Sequence, residues 1–435
     1  MLSHTFADAL PQFATPWRVE AWPDPDIKLL NPDFQLADGT LLHILSRPGH
    51  AQAYAGHQFG QFVPMLGDGR AVLLGAMNTP EGLKEVHVKG AGPTPFSRGG
   101  DGKAQLGPVL REYFISEFMH AIGVPTTRGL AVITTGEKIA RQQVQPGAAL
   151  VRGADSHLRV GTFQLAATRG REHVLAALRY SAGVLGLEAE TEEALAEQFL
   201  RRVMHSQATL VAKWMRMGFV HGVMNTDNCS ITGETLDYGP CAFLDDFDGD
   251  AVFSSIDHQG RYRYRNQPQM AAWNMVRLAE CFVGIVDVDT LNGLVQEFPA
   301  LYRRAWVEVM APAIGLQPSP EVETLLDDLL EILQEHKPDY YGLIRGLRVD
   351  PMRSSNWQEP WLRSWRAMEP DLELMREHFP NWFPRNHIVE EVIQAGLADD
   401  WGFVHQQLAY ARDPFNAPVA SPPKDPAPYV TYCGT

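Results

Sequence analysis

Two stretches near the start of this sequence carry residue types suited to holding phosphate. The first is Leu66-Gly67-Asp68-Gly69-Arg70-Ala71-Val72-Leu73-Leu74-Gly75, a glycine-rich turn that runs into an apolar strand. Glycines let a backbone approach phosphate oxygens and aim N–H groups at them, and Arg70 adds a planar fork of donors. A plain hairpin turn accounts for Gly-Asp-Gly equally well, so the stretch takes its meaning from its neighbours. The second is Glu85-Val86-His87-Val88-Lys89-Gly90, whose alternation puts His87 and Lys89 on one face of a strand and the two valines on the other.

A third stretch adds metal chemistry. His221-Gly222-Val223-Met224-Asn225-Thr226-Asp227-Asn228 is followed by Leu236-Asp237-Tyr238-Gly239-Pro240. A loop ending in a metal-binding Asn, a short hairpin and an Asp-aromatic-Gly is the order of parts in protein kinases. Asn228 and Asp237 supply hard oxygen ligands for a divalent cation whose shell the phosphates complete. Taken singly, an Asx-rich turn and a helix N-cap explain the same residues. Upstream, Arg111-Glu112-Tyr113 lies in a helical stretch and offers Glu112 as the carboxylate that holds Lys89 against phosphate. One departure bears on mechanism. Where a kinase has His-Arg-Asp this chain has His221-Gly222-Val223, and a valine cannot accept a proton. Asp227 is the carboxylate that remains in the loop.

Between Lys89 and Glu112 lies Gly90-Ala91-Gly92-Pro93-Thr94-Pro95-Phe96-Ser97-Arg98-Gly99-Gly100-Asp101-Gly102-Lys103, too glycine-rich and polar for a core. It reads as a flexible surface loop or as a second phosphate cradle. Arg152 and Arg159 are further cations for a polyphosphate, with solvated surface arginine as the plain alternative. His57 and His258 read as structural histidines that hydrogen-bond turns.

These residues need a scaffold. Short β-favouring runs at 71–75, 85–90, 129–136 and 148–152 predict strands, interrupted by one helix over 106–121. From about residue 170 the apolar spacing is helical. It predicts helices over 191–218, 265–285, 297–311, 372–378 and 387–396, and another around Leu326, Leu329, Leu330 and Leu333. The tail from Asp413 carries six prolines and reads as extended. The pattern is α+β, with a boundary near 154–162.

Composition narrows the function. Over 435 residues, 37 Lys+Arg stand against 52 Asp+Glu, a formal charge of −15, which argues against nucleic acid as partner. It leaves room for a nucleotide, since one site needs only a few local charges. Four cysteines without CxxC spacing make neither a disulfide scaffold nor a structural zinc site. The N-terminus lacks a signal-peptide pattern, and no run of about 18 apolar residues spans a membrane, so a cytoplasmic protein is expected.

With these residues in hand, the sequence resembles the selenoprotein O family of kinase-like protein adenylyltransferases. The matching blocks are YAGHQFG, LGDGRAVLLG, VKGAGPTPFSRGGDGKAQL, REYFISEFMHAIGVPTTRGLAV, SHLRVGTFQ, HGVMNTDN, DYGP with FLDDF, DHQGRYRYRNQP and NWFPRNH. The resemblance implies a protein-kinase-like two-lobed fold, with a strand-rich N-lobe over 1–160 and a larger helical C-lobe over 161–435. It implies ATP bound flipped relative to kinases and AMP transferred to Ser, Thr or Tyr hydroxyls of protein substrates, releasing pyrophosphate. Mg2+ or Mn2+ is the implied metal, and UTP a further donor. Residue by residue, it implies that Gly67, Gly69, Arg70, Lys89, Asp101, Gly102, Arg152 and Arg159 hold the nucleotide. Glu112 would orient Lys89, Asp227 accept the proton, and Asn228 and Asp237 bind the metal, Asp237 also touching the nucleotide. A true kinase and a non-catalytic nucleotide-binding scaffold are the competing readings. Many members end in selenocysteine or cysteine three residues from the terminus, here Cys433, which implies a redox role. The segment that supplies its disulfide partner in some members, here 250–255, has no cysteine. Cys229 and Cys241 are then the nearest candidates, and a free thiol is the alternative.

Overall fold

Alternating apolar residues in the first third of the chain build one antiparallel sheet. The computed structural model describes residues 2–3, 5–36, 38–350, 358–423 and 429–432. Strands β1 (Ala14–Trp17), β2 (Asp26–Leu30), β3 (Gly49–Gln52), β4 (Gly56–Gln58), β5 (Gln61–Val63), β6 (Ala71–Thr79), β7 (Gly82–Lys89), β8 (Ala104–Gln105), β9 (Arg128–Ala140) and β10 (Val144–Ala154) precede the helical part. The sheet runs β1-β3-β6-β7-β10-β9-β2 with β8 paired to β10, while β4 and β5 form a separate hairpin. The four strands expected from sequence occur as β6, β7, β9 and β10, each longer than its apolar run because antiparallel pairing carries the polar ends along. The edge strand β1, with Pro16 inside it, has no such run to announce it.

Alternation sorts the sheet's two faces. Val72, Leu74, Val86, Val88, Ala131, Ile133, Ala149 and Val151 join a smaller core with Leu41 and Leu45. Leu73, Val132 and Leu150 point the other way, into the main core, which runs on through the helical part to Ala420. That second face is covered by the helix Leu106–Ala121, found where the sequence predicts it. This helix is buried nearly all round, because β9 and β10 pack on one side and helices Asn386–Leu397 and Trp401–Arg412 on another. It stops at Gly123, which takes φ +73°.

The chain changes from sheet to helix between Ala154 and Val160. Helices Val160–Arg169 and Arg171–Leu185 lead into a 25-residue helix, Glu192–Arg216. The Thr191 hydroxyl accepts from Ala194 N, Glu192 and Glu193 fill the first turn, and Lys213 and Arg216 close the last, all favourable to the helix dipole. Expected helices recur at Gln267–Ala279, Phe298–Ala313, Pro320–His336, Leu372–His378 and Asn386–Leu397. The first ends six residues short of 285, passing into a 3-10 turn, Glu280–Phe282, before Gly284. Helices Tyr340–Val349, Glu359–Ala367 and Trp401–Arg412 were not expected; their Tyr and Trp residues break the aliphatic periodicity although they bury well. No described helix is long and apolar enough to cross a membrane. Residues 413–423 form neither helix nor strand, and Thr431 returns to bond Phe253 and Ser255, in the segment after Asp-Tyr-Gly.

Candidate active site

The alternation along β7 sends Val86 and Val88 into the smaller core and turns His87 and Lys89 to the opposite face. Lys89 Nζ is bound by both Glu112 and Asp237, so the expected Lys–Glu pair is present. In the neighbouring strand Arg152 stands opposite His87, which places it beside Lys89 on the same face. Its Nη1 donates to Glu112 Oε1 at 2.7 Å and to Leu236 O at 2.6 Å, and lies 4.0 Å from Asp237 Oδ2. Burial alone would raise the Asp237 carboxyl. Lys89, then Arg152 and Arg70, outweigh it and hold the carboxyl far below the usual range, so Asp237 is a fixed anion. Gly239 N donates to its Oδ1 at 2.7 Å.

The metal-loop sequence is framed by a two-stranded ribbon, Phe219–Val220 against Ala242–Phe243, directly after the 25-residue helix. Gly222 takes φ +77°, and a Cβ there would fall 1.8 Å from Pro240 O. Only glycine permits this close approach of the His221 segment to the Asp-Tyr-Gly segment. The arginine of a His-Arg-Asp motif has no room here. Val223 is buried, and its carbonyl accepts from Asn228 Nδ2 at 3.1 Å, so the amide oxygen is the Asn228 atom that could hold a cation.

Asp227 is buried, yet its carboxylate is only half partnered. Oδ2 accepts from Gln58 Nε2 at 3.2 Å, and Oδ1 has no hydrogen-bond partner among the described residues. Burial raises the Asp227 carboxyl above its ordinary value, against the Gln58 bond and the charges of Arg159 and Arg98. Arg159 Nη1 donates to Asp227 O at 3.2 Å, its Nε to His157 O at 3.1 Å, and the guanidinium lies 4.1 Å from the Tyr54 ring centre. Both Arg152 and Arg159, read as surface arginines in the plain alternative, are about 5% exposed.

The glycine loops are stitched together. Gly67 takes φ +83°, and a Cβ on it would run into the Phe96 ring at 2.3 Å. Thr94 Oγ1 donates to Asp68 O at 2.6 Å, and Ser97 Oγ donates to Gly69 O. Gly102, at φ +65°, packs against Gly92, where a Cβ would lie 2.0 Å from the carbonyl oxygen. The second loop is therefore pinned on the first rather than flexible. The side chain of Asp101, an expected nucleotide residue, bonds away from the cluster: it is exposed and pairs with Arg141 at 2.6 Å.

Several participants were not singled out from sequence. Asp68, Gln58, Tyr54 and Asn225 join the cluster, and Arg98, exposed at φ +50°, brings positive charge to Asp227. Asn225 Oδ1 accepts from Phe59 N and Tyr262 OH, which ties the β4–β5 hairpin to the loop. The polar residues of Tyr54-Ala55-Gly56-His57-Gln58 were the available signal. His57 is structural as read: its Nδ1 meets Gln164 Nε2 at 2.7 Å, and Gln164 accepts from Thr226. His258 is exposed.

The donors fit a hard divalent cation. Asp237 is fixed as an anion, and Asn228, with its Nδ2 turned to Val223 O, offers an amide oxygen. Elsewhere Asp33, Glu81 and His120 hold ligand atoms within 4.8 Å of one another, but Arg128 already bonds all three and supplies the positive charge. Cys229, Cys241 and Cys281 are free and buried, and burial pushes each thiol up to about 12. None is a ready thiolate for a redox partner. Cys433 lies outside the described residues.

Comparison with known proteins agrees with the chemistry of these residues. A family model described as protein adenylyltransferase SelO matches residues 33–409. The chain is 42% identical over 476 aligned positions to the protein nucleotidyltransferase YdiU of Corynebacterium efficiens, covering 100% of this chain and 96% of that one. Its namesake in Mycolicibacterium smegmatis is also 42% identical, with 100% and 98% covered. That of Geobacillus kaustophilus is 45% identical over 419 positions, with 88% and 85% covered. The chain belongs to the SelO family and is an enzyme with nucleotidyltransferase activity.

Proposed function

We propose that this SelO-family nucleotidyltransferase moves AMP from ATP to Ser, Thr or Tyr hydroxyls of protein substrates, releasing pyrophosphate. The observation that carries the reading is the buried, unpartnered Oδ1 of Asp227 beside a charged cluster of Lys89, Glu112, Arg152 and Asp237. In this reading the acceptor hydroxyl oxygen bonds to the α-phosphorus while the bond to the α–β bridging oxygen breaks. The hydroxyl proton passes to Asp227 Oδ1, and pyrophosphate carries away the electron pair. Lys89, Arg70, Arg152 and Arg159 face charge that grows on phosphate oxygens in the transition state, the largest expected contribution. Glu112 holds Lys89 in place. Gly67 and Gly69 let the turn approach the phosphates, and Asp101 and Gly102 complete the nucleotide loop, Asp101 by exchanging Arg141 for the ligand. Asn228 Oδ1 and Asp237 would hold Mg2+ or Mn2+, which neutralises phosphate charge when bound.

The same reading takes residues 1–160 as the N-lobe and 161–435 as the C-lobe of a kinase-like fold, divided where β10 gives way to helix. Free buried thiols fit the reducing cytoplasm. The test is ATP labelled at the α-phosphate, with UTP run alongside, in Mg2+ or Mn2+, using the chain itself and a protein extract as acceptors. Label in protein hydroxyl esters, lost in Asp227→Asn, is the expected result; no label in protein under any of these conditions contradicts it.

A further inference from the structure

Asp68 is a buried carboxylate at the centre of the site, and the transfer chemistry gives it nothing to do. Its side chain is 2% exposed, and its two oxygens divide their partners. Oδ2 accepts from Gln52 N at 3.0 Å and meets His87 Nε2 at 3.1 Å. Oδ1 faces Arg159 Nη2 at 3.9 Å. On the far side of His87, Arg152 Nη2 and Nε approach Nδ1 at 3.2 and 3.4 Å. A guanidinium only donates, so Nδ1 must accept and the ring proton sits on Nε2, pointing at Asp68. Asp68 thus attracts one arginine by charge across 3.9 Å and orients the other through a single imidazole tautomer, as a carboxylate behind a histidine fixes the ring at a metal.

Each arginine then grips a backbone carbonyl of the hairpin that runs between Phe219–Val220 and Ala242–Phe243, catalytic in the proposed reading. Arg159 holds Asp227 O, and Arg152 holds Leu236 O, the residue before Asp237. The backbone of Asp68 also ties the loops, since its N donates to Gln52 O at 2.9 Å and its O accepts from Thr94. We infer that Asp68 is a positioning residue that holds the Asp227 and Asp237 segments in register with the nucleotide, through Arg159 on one side and His87–Arg152 on the other. The inference rests on the reading of the site as a nucleotidyl-transfer centre.

Asp68→Asn keeps the volume but puts an NH2 against either Arg159 or the His87 Nε2 proton, donor to donor. Initial rates with ATP and Mg2+, and ATP affinity by direct titration, are measured for the full chain, Asp68→Asn, Arg159→Met and the double variant. Misplacement of the reacting groups predicts kcat lower by ~10²-fold. ATP affinity moves less than about tenfold, because Lys89 and Arg70 keep their places, and the double variant loses far less than the product of the single losses. A wild-type rate in Asp68→Asn, or losses that multiply, overturns the inference. Should Asp68→Asn fail to fold in a thermal melt, His87 decides: His87→Leu loses at least ~tenfold and His87→Gln, which both donates and accepts, recovers most of it. Equal rates in those two variants also overturn it. A wild-type chain inactive with every donor sinks the reading of the site and this inference with it, whereas an active wild type beside a fully active Asp68→Asn counts against Asp68 alone.

Discussion

The two arms of the hairpin between Phe219–Val220 and Ala242–Phe243 each carry an aspartate, and their surroundings push the two carboxyls in opposite directions. On one arm Asp237 sits among Lys89, Arg152 and Arg70, which overcome its burial and fix it as an anion. On the other arm Asp227 has an amide for a neighbour, and the nearest guanidinium is turned to its backbone oxygen rather than to the carboxylate. Burial therefore dominates at Asp227. A permanently charged carboxylate suits binding, while one that is raised and half unpartnered suits proton exchange. Environments that split two like groups assign their roles. Between the arms lies a third carboxylate, Glu234, which accepts from Asp155 N and Thr232 Oγ1: burial, then repulsion from the Asp155 carboxylate, push it up to about 8 against the Thr232 bond and the charge of Lys84.

The largest effect should come from breaking the anionic arm. Asp237→Ala removes the proposed metal ligand and one of the two carboxylates on Lys89, and transfer should fall by ~10³-fold or more with the fold retained in a thermal melt. Asp227→Asn should cost about 10²–10³-fold in kcat while ATP affinity stays within a few-fold, as loss of a general base requires. Equal losses of affinity and rate would erase the contrast between the arms. A smaller effect is expected at Gly56, where a Cβ would fall 2.7 Å from Asp227 Oδ1. Gly56→Ala should push the carboxylate off its line and slow transfer about tenfold, measured at saturating ATP.

The smallest effect concerns stability rather than rate. The folded Glu234 carboxyl is raised to about 8 from 4.5, so the folded state keeps a proton that the unfolded chain gives up earlier. Its contribution is fully present below pH 4.5 and is lost as pH rises through 8. Urea unfolding at several pH values should show Glu234→Gln with a flatter profile across that window than the wild type. Parallel profiles would remove Glu234 from the account.

What the sequence reveals of this site follows the range of each interaction. Lys89 is legible because strand alternation is local, and Glu112, Asn228 and Asp237 because kinase-like parts follow a fixed order along the chain. The missing base at Val223 is legible as a residue type. Its structural counterpart, the approach of Gly222 to Pro240 O, depends on the pairing of Phe219–Val220 with Ala242–Phe243. Asp68 and Gln58 stay hidden for the same reason: their partners lie on other strands or in the distant loop, at His87, Arg159 and Asp227. The sheet and the aliphatic helices were readable from periodicity, whereas Glu359–Ala367 buries Trp361, Leu362 and Trp365 on a short helix that also carries Glu359, Arg363 and Arg366. Asp101 shows the converse, a residue assigned to the nucleotide by resemblance whose carboxylate bonds Arg141 in this structure.

In the proposed reaction the hairpin passes the α-phosphoryl group of a nucleotide, with its nucleoside, to a protein hydroxyl. The most direct measurement is a single reaction with ATP carrying distinct labels on the α- and γ-phosphates, followed by recovery of the protein and determination of both labels. Nucleotidyl transfer leaves the α-label alone in wild-type protein, and neither label with Asp227→Asn. The γ-label alone in protein would contradict it and make the chain a kinase.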